Sequence, residues 1–73
     1  MTVARLKEFY QGMLNFSKET ADYYANRLRH MERGLDNVRV AIEAQKDAQD
    51  LAYYNHEIEI YEGVIKSLDW LDK

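Results

Sequence analysis

A chain of 73 residues, 47% hydrophobic and 32% charged, has the composition of one small globular domain. It contains no cysteine and no proline, which excludes disulfides, thiolate zinc sites, iron–sulfur clusters and a cysteine nucleophile. The net charge of −3 divides unevenly, with seven basic and five acidic side chains in residues 1–39 against three and eight in residues 40–73.

This balance makes a poor coat for a phosphate backbone, since non-specific nucleic-acid binding comes mostly from Lys and Arg. No apolar run is long enough to cross a bilayer. Arg5, Lys7 and Glu8 interrupt the first segment, so no signal peptide is expected there and a cytoplasmic location is. Residues 1–73 read as a single helical domain.

The first apolar stripe is Val3, Leu6, Tyr10, Met13 and Leu14, which fall on one face of a helix. Ser17 follows as a candidate N-cap, with Glu19 and Asp22 in the turns where the helix dipole favours negative charge. The alternative is that Ser17 lies inside one continuous helix. A second stripe runs through Tyr24, Leu28, Met31, Leu35, Val38, Ile42 and Gln45 in alternating steps of four and three, a heptad seam. It passes Gly34 without losing phase, so Gly34 reads as a helix-interior residue. The competing reading ends a helix at Gly34 and starts the next at Asp36. A third stripe begins in a new phase with Leu51, Tyr54, Ile58, Tyr61, Ile65 and Leu68. That phase change predicts a turn near residues 46–49.

The expected fold is therefore all-α, with helices at about 2–16, 17–46 and 48–71. The two long helices form an antiparallel, coiled-coil-like hairpin covered by the short N-terminal one. A thin bundle of this size buries little surface, and the third stripe carries more apolar side chains than one partner helix needs. Self-association, as a dimer completing a helical bundle, is expected. Its candidate interface is Tyr53, His56, Ile60, Gly63 and Trp70, where small residues beside a Trp suit close approach of another helix.

Chemistry is sparse. His56 neighbours Glu57 and Glu59, but neither Glu-x-x-His nor His-Glu-x-x-His occurs, so no metal and no cofactor is expected. The glycines are isolated, and no phosphate-binding loop is present. Glu57 is the one carboxylate inside an apolar stripe, and the expectation is an ion pair with Arg27 or Arg39 rather than catalysis. Arg27, Arg29 and Arg33 form a basic face, interleaved with Glu32 and Asp36. Nucleic-acid contact through it is the alternative function, a small metal- or ligand-binding protein a further one. The favoured expectation is a non-enzymatic module that binds a larger protein stoichiometrically, as inhibitor or adaptor. Small acidic helical chains of phage and mobile elements, including anti-defence proteins, offer an analogy of type that no motif carries.

Overall fold

Two helices account for the architecture. The computed structural model describes residues 2–31, 34 and 37–71, with α1 at Val3–Met31 and α2 at Val38–Leu71. At 1.5 Å per residue these helices run about 43 and 51 Å, and the molecule measures 53 × 16 × 13 Å. They lie antiparallel: Lys7 meets Asp69 at 2.6 Å, the Tyr10 and Tyr61 rings sit 6.0 Å apart, and Arg27 meets Asp47 at 2.8 Å.

Both helix starts are capped by side chains. Thr2 Oγ1 accepts the Arg5 N–H at 3.2 Å, and Asn37 Oδ1 accepts the Arg39 N–H at 2.9 Å. Each bond satisfies one of the donors that the first turn leaves without an intrahelical partner. The Asn37 N–H also donates to the Gly34 carbonyl at 3.0 Å, tightening the connection.

The two-helix hairpin corrects the expected division in three places. Ser17 does not cap a helix; it is fully buried in the middle of α1, and no separate helix ends at residue 16. Residues 46–49 are not a turn but lie well inside α2. The chain reverses around Gly34 instead, although Gly34 does not adopt a positive φ. A Cβ at Gly34 would stand 3.4 Å from Val40 Cγ1, an ordinary contact, so the Val40 side chain packs against the turn at Gly34. Leu35 and Asp36, which figured in the expected seam and cap, lie outside the described residues.

The physical cause is the composition of the seam. On α1 the inward residues are Val3, Lys7, Tyr10, Leu14 and Ser17, then Ala21, Tyr24, Leu28 and Met31. On α2 they are Val40, Ala44, Asp47 and Leu51, then Tyr54, Ile58, Tyr61, Ile65 and Leu68. Both series step by four and three throughout, the repeat of a left-handed coiled coil. Small and polar residues occupy the middle of α1 and the start of α2, so an apolar count loses the repeat there. Val38 and Ile42 keep the phase of Leu28 and Met31 yet stand 75% and 62% exposed, on the outside of α2.

Candidate interaction surface

The heptad register sorts every side chain around the hairpin. With position a at Lys7 and Leu14 on α1 and at Leu51 and Ile58 on α2, position g flanks d and position e flanks a. In an antiparallel pair the two g rows share one lateral face and the two e rows share the other. The contacts agree: Tyr23, Tyr24 and Arg27 line one groove with Glu43, Lys46 and Asp50. On the opposite side Ala4, Glu8 and Gln11 line a groove with Ile65.

The g-side face is apolar. Six of the nine large hydrophobic side chains that stand exposed among the described residues lie on it. Phe9, Phe16 and Tyr23 repeat every seven residues along α1, and Tyr53, Ile60 and Leu71 follow α2. The aromatic rings lean on the seam beneath: Phe16 on Tyr54 at 6.5 Å, Tyr23 on Tyr24 at 5.3 Å and Tyr53 on Tyr54 at 5.2 Å. These edge-on contacts leave the outer side of each ring in water.

Polar groups enter this face at its middle and again towards the turn, where Glu43, Lys46 and Asp50 line it. Near its middle, Ser17 Oγ lies 3.5 Å from Glu57 Oε2. Hydrogen bonding to the Glu57 carboxylate raises the Tyr53 phenol above its ordinary range, while burial first and Glu57 second raise Tyr61. Glu57 thus collects hydroxyl groups, and the expected pairing with Arg27 or Arg39 is not made by Arg27, which turns to Asp47 instead. Nearer the turn, Arg27 Nε bonds the buried Asp47 at 2.8 Å, and its Nη1 reaches the Tyr23 hydroxyl at 3.2 Å. A carboxylate at a seam position survives burial because this guanidinium reaches over it.

The e-side face is polar. Glu8, Gln11, Asn15, Lys18 and Asp22 follow α1, and Asn55, Glu59, Glu62 and Lys66 follow α2. Gln11 Nε2 donates to Asn15 Oδ1 at 3.0 Å along it.

The expected interface residues fall on two strips. Tyr53 and Ile60 belong to the apolar face. His56, Gly63 and Trp70, seven residues apart, line the back of α2 with Ile42. Trp70 is 74% exposed there, and a Cβ added at Gly63 would meet nothing within 4 Å. Of the basic face, Arg27 is engaged by Asp47 and Arg29 bonds Asn26 at 3.3 Å. Arg33 and Glu32 lie outside the described residues. The nearby His30 ring nitrogen sits 2.7 Å from the Asn26 carbonyl, beside an open groove lined by Tyr23, Asn26 and Met31. Phe9 and Phe16 were missed as surface residues, since neither figured among the candidate interface residues. Their repeat with Tyr23 was the available signal.

Among the described residues no three His, Asp or Glu side chains gather as metal ligands would, and no helix is long and apolar enough to cross a membrane. Fold and surface together define an antiparallel α-hairpin with one apolar and one polar lateral face. No family model, curated protein or solved structure matches the chain.

Proposed function

We propose that the protein is a non-enzymatic interaction module that self-associates and binds a larger protein stoichiometrically. One observation carries the reading: nine large hydrophobic side chains stand 47–75% exposed, while only Leu14, Ala21 and Leu68 form the buried apolar core among the described residues. Holding that much apolar surface in water is unfavourable, at about 25 cal/mol per Å². Exposed patches of this extent on small proteins commonly mark binding surfaces.

The back strip of α2 is the part assigned to the larger partner. A glycine two turns from a Trp on one strip lets a partner backbone approach closely while the indole is buried, Trp being a residue type enriched at interface hot spots. The test is affinity capture from the native host with the wild type, Trp70→Ala and Glu8→Ala. The reading expects one partner held at fixed stoichiometry by the wild type and by Glu8→Ala, and lost with Trp70→Ala while helix content is kept. Capture indifferent to Trp70→Ala, or no saturable partner, contradicts it.

A further inference from the structure

We infer that the apolar lateral face is closed by a second copy of this chain, with the two turns at the same end, so that α1 of each copy lies over α2 of the other. The inference rests on the proposed self-association and adds its face and its orientation.

Size is the first argument. A hairpin 53 Å long and 16 Å across has room for a contact of up to about 800 Å² per copy, the size of a standard stable interface. It also completes the geometry: two hairpins stacked on this face make a four-helix bundle, in which the exposed ring faces of Phe9, Phe16 and Tyr53 become core.

Complementarity fixes the orientation. The exposed row of α1 on this face contains no carboxylate: it runs from Phe9 and Met13 through Phe16 and Thr20 to Tyr23 and Arg27. The matching row of α2 carries Ile60 and Val64 at the open end, Glu57 and Tyr53 in the middle, and Asp50, Lys46 and Glu43 near the turn. With the turns together, the second copy's Phe9 and Met13 come over Ile60 and Val64. Its Phe16 and Thr20 come over Glu57 and Tyr53, its Tyr23 over Asp50, and its Arg27 over Lys46 between Glu43 and Asp50. Apolar meets apolar at the open end, and near the turn a hydroxyl and a guanidinium come among the carboxylates of Asp50 and Glu43. In the opposite orientation α2 lies over α2, which sets Ile60 and Val64 against the second copy's Asp50 and Lys46. It also sets Phe9 against Arg27. Apolar side chains then face charged ones at both pairings, so that arrangement loses. A twofold axis along the bundle relates the copies and closes the assembly at two.

The chain has no cysteine, so a single spin label is readily placed at Val38→Cys, a site 75% exposed beside the turn. In the full-length protein the inference expects a dimer with a label-to-label distance within about 30 Å, since only lateral offsets separate the copies. A dimer with labels beyond about 40 Å, close to the molecular length, overturns the orientation while self-association stands. A monomer at all concentrations overturns both. A label at Glu8→Cys, near the open end and on the polar face, must also give a short distance; a long one there contradicts the inference equally.

Discussion

The two lateral faces of the hairpin are built on the same pair of helices and the same seam, yet they differ in nearly every surface property. Phe16 and Asn15 are chain neighbours: one places a ring 58% exposed on the apolar face, the other accepts a hydrogen bond from Gln11 on the polar one. Tyr53 and Asn55 make the same contrast on α2. A lone hairpin has water on both sides, so folding of the monomer requires no such difference. On the proposed reading the asymmetry belongs to what the molecule binds, and the seam to how it folds.

The sharpest perturbation strikes what both faces share. Leu14 is 5% exposed in the seam, and Leu14→Ala is expected to cost about 2–4 kcal/mol. Urea unfolding at fixed protein concentration checks this, because any self-association would make stability concentration-dependent. A loss under 1 kcal/mol would mean that the seam is not the core.

A second perturbation separates the buried ion pair from the apolar face above it. Arg27→Ala leaves Asp47 buried without its cation and should lower the melting temperature clearly. Asp47→Leu continues the heptad with an apolar side chain and should be neutral or stabilising, since an ion pair in a seam specifies register more than it stabilises. Equal losses in both variants would show that the pair itself contributes most of the stability.

Glycine substitutions give a smaller effect. Gly12 and Gly63 both lie in helix interiors with nothing within 4 Å of an added Cβ. Each change to Ala should raise stability by about 0.5–1 kcal/mol in thermal melts. Only Gly63→Ala should also weaken capture of the larger partner, because only Gly63 shares the back strip with Trp70. Weakened capture by Gly12→Ala as well would detach recognition from that strip.

The smallest effect concerns the tyrosines. Tyr53, Tyr61 and Tyr24 all have phenols raised above the ordinary value of 10.0, by hydrogen bonding to Glu57 in the first case and chiefly by burial in the other two. A raised phenol favours the folded state while protonated. That contribution is complete below pH 10 and is lost as pH rises through the higher folded values. Alkaline titration of tyrosinate absorbance should therefore lag in folded protein relative to denatured protein. Coincident curves would contradict the burial of Tyr24 and Tyr61 and the placement of Glu57 beside Tyr53.

Much of the fold was legible from periodicity, and the failures have identifiable causes. The stripe from Leu51 to Leu68 matches the α2 seam residue for residue, because large apolar side chains occupy each position. Ser17 was read as a cap because an isolated hydroxyl at the end of an apolar stripe has the same local signature whether it starts a helix or faces a carboxylate across a seam. Val38 and Ile42 misled by phase, extending the α1 pattern through a turn that contains no proline. The true start of the α2 seam is Val40, Ala44 and Asp47, and a buried Asp gives no apolar signal. Tyr53, Ile60 and Trp70 were picked out as surplus apolar residues, and all three stand exposed. Sequence alone did not divide them between two strips, since that needs the register of α2 against α1.

The central claim, that one lateral face is an interface and the other is not, is tested most directly by a dilution series in sedimentation velocity on two neighbouring charge insertions. Asn15→Lys on the polar face should sediment as the wild type does, as a dimer that dissociates only at low concentration. Phe16→Lys should be a folded monomer throughout. Two dimers, or two monomers, would contradict the account.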